Sequence, residues 1–107
     1  MLELLRYQGE DGREPLTEWL RSLRDRQGYA RILARLDRIE NGNFGQCRPL
    51  RDGVWELKID HGPGYRLYYG VVGKTIILLL CAGDKRTQQA DIQRAVNYWQ
   101  EFRSRQK

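Results

Sequence analysis

Apolar and polar residues along the chain change period several times, and each change marks an element. Leu2 to Tyr7 alternates weakly and predicts a first strand. After the loop "QGEDGREP", Pro15 suits the first turn of a helix, and Leu16, Trp19, Leu20 and Leu23 recur at helical spacing to about Arg24. Gln27-Gly28 is read as the break before a second helix, Tyr29 to Glu40. Ile32, Leu33, Leu36 and Ile39 point inward on it and Arg31, Arg35 and Arg38 mostly outward. Asn41-Gly42 ends that helix, and "NGNFGQCRPLRDG" is read as a connecting loop. The period then falls to two. In Val54 to Asp60, Trp55, Leu57 and Ile59 share one face, and Glu56, Lys58 and Asp60 the other. Tyr65 to Val72 alternates in the same way, with Arg66 and Tyr68 opposite Tyr65, Leu67, Tyr69 and Val71. Gly73-Lys74 fits a two-residue hairpin turn, and Thr75 to Ala82 is apolar throughout, as a strand buried on both faces is. A last helix starts at a Thr87 cap and buries Ile92, Ala95, Val96, Trp99 and Phe102; the tail "RSRQK" is expected to fray. The fold class is α+β: a short N-terminal strand and two helices, an antiparallel meander, and a C-terminal helix.

The hairpin "WELKIDHGPGYRLYY" (residues 55–69) carries the chemical question. A one-residue slip would send Trp55, Leu57 and Ile59 to water, so the register sets Ile59 opposite Tyr65, Lys58 opposite Arg66, Leu57 opposite Leu67 and Glu56 opposite Tyr68. The two-residue turn then sets Arg66 opposite Cys81 and Tyr68 opposite Leu79. One face is left with Glu56, Lys58, Arg66 and Tyr68, and Lys85 and Arg86 lie just beyond the end of the apolar strand. Like charges directly opposite cost about 0.2–1 kcal/mol, so either the acidic neighbours Glu56 and Asp60 offset them or an anion belongs between them. Arginine offers phosphate a fork of donors, lysine a point charge, and tyrosine a surface for stacking a base.

Composition narrows the classes. The chain of 107 residues fits one domain over 1–107, and 40% hydrophobic content allows a real core. Its net charge of +5 is concentrated in residues 54–107, where nine Lys+Arg stand against five Asp+Glu; a phosphate-rich or acidic partner suits this balance. Thr75 to Ala82 is too short to span a bilayer, and the N-terminus turns polar too soon for a signal peptide, so a cytoplasmic protein without membrane association is expected. Cys47 and Cys81 fit no metal pattern and read as reduced thiols. His61 is the only histidine, which excludes a zinc site built on histidines. With an ordinary pKa near neutrality it is also the candidate acid or base, although it lies in the hairpin loop.

Residues 53–96 carry a resemblance. The "WELK" strand, the "GPGYR" hairpin, the apolar strand ending in "CAGDK" and the helix start Gln88-x-x-Asp91-Ile92-x-x-Ala95 resemble the RelE/ParE superfamily of bacterial toxin–antitoxin toxins. Within it they are most similar to the addiction module killer branch, related to HigB toxins. The resemblance implies two N-terminal helices packed on a small twisted sheet with a cleft on the exposed face. It also implies a cognate antitoxin, often a helix-turn-helix protein, and no cofactor or metal. Many members are endoribonucleases that cleave mRNA, commonly on the ribosome; the ParE type instead inhibits DNA gyrase without catalysis, and an inactive antitoxin-binding module is the third alternative. Arg66 matches the arginine of the family's "YR" strand, which binds the scissile phosphate in RNase members. Lys58 falls where the family often has a basic residue, and Lys85 and Arg86 match the basic position after the last core strand, with transition-state stabilisation as the implied role. Several RNase members carry a catalytic Tyr or His near the C-terminus, but "DKRTQQAD" has neither, which leaves the general acid open.

Overall fold

The computed structural model describes residues 1–106. It contains β1 (Glu3–Arg6), α1 (Pro15–Ser22), α2 (Arg26–Glu40), β2 (Cys47–Pro49), β3 (Trp55–Ile59), β4 (Tyr65–Val72), β5 (Ile76–Gly83), a 3-10 turn (Lys85–Thr87) and α3 (Gln88–Arg105). The α+β class and the order of the main elements are as the sequence predicts. The sheet has five strands in the order β1-β5-β4-β3-β2 and is mixed, because β1 pairs parallel to β5. β5 is thus central, and its two faces feed both cores, Ile77 and Leu79 under α1 and α2 and Leu78 and Leu80 under α3, which accounts for its unbroken apolar run.

Two helix boundaries differ from expectation. α2 starts at Arg26 rather than Tyr29, because the Asp25 carboxylate accepts a hydrogen bond from the Gly28 amide at 2.9 Å and caps the helix there. Gly28 is therefore inside the first turn, and its missing side chain answers a close approach. A Cβ on it would lie 2.5 Å from the Tyr65 ring and 2.6 Å from Asp25 Oδ2. The tail is not frayed at its start: α3 runs through Arg103, Ser104 and Arg105, and Arg105 bonds to Gln8 O and Glu101. Lys107 lies outside the described residues.

Each sheet face has its own core. α1 and α2 cover one face, packing Leu16, Leu20, Ile32, Leu36 and Ile39 on Leu57, Ile59, Tyr65, Leu67, Tyr69, Ile77 and Leu79. α3 covers part of the other face, packing Ile92, Ala95, Val96 and Trp99 on Val54, Tyr68, Leu78, Leu80 and Cys81. The β3–β4 register is as predicted at all four pairs, from Glu56↔Tyr68 to Ile59↔Tyr65. The β4–β5 register is not: Arg66 pairs with Gly83 and Tyr68 with Cys81. Val72 pairs with Ile76, so the turn holds three residues rather than two, and a bulge between Tyr68 and Tyr69 adds a second one-residue shift. Two shifts restore parity, which is why the faces come out right although the partners do not.

β2 is a strand where a loop is expected. Its three residues pair with Leu57, Glu56 and Trp55, and Pro49 is tolerated because β2 is an edge. The guanidinium of Arg35 anchors the approach to it by donating to the carbonyls of Lys58 at 2.8 Å and Phe44 at 3.1 Å. Arg35 thus lies half-buried beneath the 44–46 segment, and burial lowers its pKa.

Candidate functional site

α3 leaves the β2–β3 end of its face uncovered. There a cavity of about 420 Å³ opens between β2, the β3–β4 pair and the first residue of α3, lined by Gln46, Cys47, Arg48, Glu56, Lys58, Arg66 and Gln88. The pleat sends Glu56, Lys58 and Arg66 to this side. Pairing of Arg48 with Glu56 across β2–β3 brings in a third cation. Arg66 is 7% exposed, and its Nη1 donates to Gly64 O at 2.8 Å. Its buried Nε has no hydrogen-bond partner and lies 3.8 Å from Glu56 Oε2. Glu56 is 3% exposed and accepts from Arg48 Nε at 3.0 Å and Gln88 Nε2 at 2.9 Å. Burying an arginine with an unmade hydrogen bond costs free energy, and the Glu56 carboxylate beside it offsets its charge without completing that bond. Gly64 shapes the mouth. Its φ of +79° suits glycine, and a Cβ there would sit 3.2 Å from Arg66 Nη1 and 3.8 Å from Lys85 Cβ.

The other sequence candidates separate. Lys85 is exposed at the rim beside Gly64 but does not line the cavity. Arg86 is exposed and turned back on Asp84, with Nη2 3.0 Å from Oδ2; this pairing holds the Asp84 carboxyl below the usual carboxylate range. His61 belongs to the opposite side of the sheet: its ring stacks on Tyr65, and Nε2 is 3.6 Å from the α2 cap Asp25. Tyr68 is correctly assigned to the cavity's face, yet it is fully buried beneath α3, and its hydroxyl has no partner. It has no ring face free for a base, and burial foremost raises its pKa. Sequence reasoning missed Arg48, Gln46 and Gln88. The available signal was Arg48 itself, a cation placed to cross from Glu56 once "CRP" is read as a strand.

Residues 18–98 match the phage-derived protein Gp49-like family (DUF891). The chain belongs to that family. It is also 44% identical, over 77 residues that make up 72% of this chain and 78% of the other, to an uncharacterized protein of Haemophilus influenzae. The Gp49-like family lies within the RelE/ParE-like toxin superfamily, so the chain is toxin-like, and membership of that class implies a cognate antitoxin.

Among the described residues of this Gp49-like chain, no three His, Cys, Asp or Glu side chains come together where they would hold a metal ion. No helix among them is long and apolar enough to cross a membrane. Both cysteines are free; Cys81 is buried, which pushes its thiol up to about 12, whereas Cys47 opens into the cavity. The chemistry the Gp49-like cavity offers is electrostatic: Arg48, Lys58 and Arg66 against the one carboxylate of Glu56.

Proposed function

We propose that this protein is the toxin of a type II toxin–antitoxin system and acts as a metal-free endoribonuclease on mRNA in the cytoplasm, with cleavage on the ribosome. The motifs of residues 53–96 favour the HigB-like, addiction module killer branch and a helix-turn-helix antitoxin. The observation that carries the reading is the gathering of Arg48, Lys58 and Arg66 around one cavity, three cations against the single carboxylate of Glu56.

In this reaction the ribose 2′-oxygen attacks the adjacent phosphorus. The O2′–P bond forms, the P–O5′ bond breaks, and a proton passes from the first oxygen to the second. The products are a 2′,3′-cyclic phosphate and a 5′-hydroxyl. Three cations and one carboxylate leave the cavity with an excess of two positive charges, which balances a dianionic phosphorane. Arg66 holds the scissile phosphate, Arg48 adds charge opposite it, and Lys85 assists from the rim. Lys58 is the cavity cation with a transferable proton, since arginine does not give one up. Arg86, tied to Asp84, contributes field only.

One observation favours a second reading. Neither His61 nor Tyr68 lines the cavity, so proton transfer rests on Lys58. A ParE-like inhibitor of DNA gyrase, or an inactive antitoxin-binding module, needs no such transfer.

The test is to add purified protein to a translating extract and analyse the ends of the mRNA. New fragments with 5′-hydroxyl and cyclic-phosphate ends, abolished by Arg66→Ala, are expected. Intact mRNA together with blocked gyrase supercoiling in a parallel assay would replace this reading with the second.

A further inference from the structure

The cavity holds one group that a phosphate site does not require, a buried carboxylate. Glu56 Oε1 accepts from Arg48 and Oε2 from Gln88, while Arg66 Nε at 3.8 Å is beyond hydrogen-bond distance. A carboxylate has about four acceptor positions, so two remain for a ligand. We propose that Glu56 reads the base of the bound nucleotide and that this base is guanine. The inference rests on the reading above, in which Arg66 holds the phosphate of an RNA strand.

Donor patterns single out the base. A carboxylate presents two parallel acceptors and is best matched by two N–H donors side by side, as in its pairing with a guanidinium. Proteins that read single-stranded RNA do so on the edges of splayed-out bases. On the Watson–Crick edge, only guanine sets two donors next to each other, N1–H and the 2-amino group. Adenine and cytosine place their amino group beside an acceptor nitrogen, and uracil places its single N–H between two carbonyl oxygens. Each of these turns an acceptor toward Glu56, and a buried polar site rejects a ligand that leaves it mismatched. The positions of the partners support the role. Arg48 and Gln88 fix both carboxylate oxygens, and Arg66 compensates the charge without taking an acceptor position. The volume of about 420 Å³ falls within the range of about 300–1,000 Å³ usual for small-ligand sites.

The test is an NMR titration of the full chain with inorganic phosphate and with the 3′- and 5′-monophosphates of guanosine, inosine, adenosine, cytidine and uridine. Inosine lacks only the 2-amino group, so its nucleotide is expected to bind about tenfold more weakly than that of guanosine. The other three are expected to bind no more tightly than the inosine nucleotide. Glu56→Gln is expected to abolish the guanine preference and, by removing the cavity's one carboxylate charge, to tighten binding of inorganic phosphate. The guanosine–inosine comparison needs no variant, so it stands even if Glu56→Gln fails to fold. Equal affinity for all five nucleotides, with inorganic phosphate also bound, overturns the base assignment and leaves the phosphate site intact. Binding of neither phosphate nor nucleotide overturns both.

Discussion

Gly70 tests how α3 is held over the sheet that carries the cavity. It lies in β4 beneath Trp99, and a methyl group built on it would overlap three atoms of the indole, the farthest of them at 2.8 Å. Its backbone is ordinary, with no positive φ, so Gly70→Ala perturbs contact alone. The indole has no easy way out: Trp99 is 6% exposed, stacks on Phe102 with centroids 5.9 Å apart, and carries the Arg103 guanidinium over its ring. Overpacking of this kind costs about 1–3 kcal/mol, and a fused ring fixed on both sides puts the cost near the upper end, about 3 kcal/mol. With a urea slope of about 1.5 kcal/mol per molar for a domain of this size, the unfolding midpoint followed by circular dichroism drops by about 2 M. A double-mutant cycle isolates the cause. Trp99→Ala alone costs about 3–5 kcal/mol, and adding Gly70→Ala to it costs nothing further, since the obstructing ring is gone. A Gly70→Ala midpoint within about 0.3 M of wild type would refute the packing account. So would strict additivity with Trp99→Ala.

Other consequences concern the site and its supports. Arg48→Ala is expected to lower RNA cleavage about tenfold or more. It moves stability by less than about 1 kcal/mol, because the Arg48 side chain is 62% exposed and Gln88 still bonds Glu56; initial rates and urea curves on the same preparation check both. Gly64→Ala should weaken phosphate binding at Arg66, since the new methyl crowds Nη1 and the φ of +79° resists a side chain, and phosphate titration reads this directly. Asp25 is held below its ordinary value of 3.8 by the Gly28 amide and the Tyr65 hydroxyl. A lowered carboxyl pKa stabilises the fold above the unfolded value, and this contribution is lost as pH falls through the folded value. The urea midpoint of Asp25→Asn should therefore lie below wild type at pH 7, with the gap narrowing at pH 3. Cys81, buried with its thiol near 12, should resist alkylation at pH 8 until the protein is unfolded, while Cys47 reacts; mass spectrometry of the labelled sites distinguishes them.

Alternation proved the informative signal in this chain. It fixed the β3–β4 register because Trp55, Leu57 and Ile59 have no other way to stay dry, and that register sets Lys58 opposite Arg66. Period two says which face a residue takes, not what covers that face. It therefore places Tyr68 on the open side, although α3 closes its half of it. The bulge beside Tyr68 and the three-residue turn leave no trace in the hydrophobic pattern, so the β4–β5 partners were misassigned while their faces survived. β2 escaped because three residues ending in proline carry too little pattern to read, and Arg48 was lost with it. His61 had no fixed direction in its loop until Asp25 and Tyr65 were brought beside it by α2.

The central claim is that the Arg66 cavity cleaves RNA. The most direct measurement is to induce the chain in cells without its antitoxin, beside an Arg66→Ala version, and map RNA 5′ ends over time. New 5′ ends that accumulate with growth arrest and are absent from the variant are expected. Growth arrest with unchanged RNA ends would contradict this and leave Lys58 and Arg66 as part of a charge cluster balanced by Glu56.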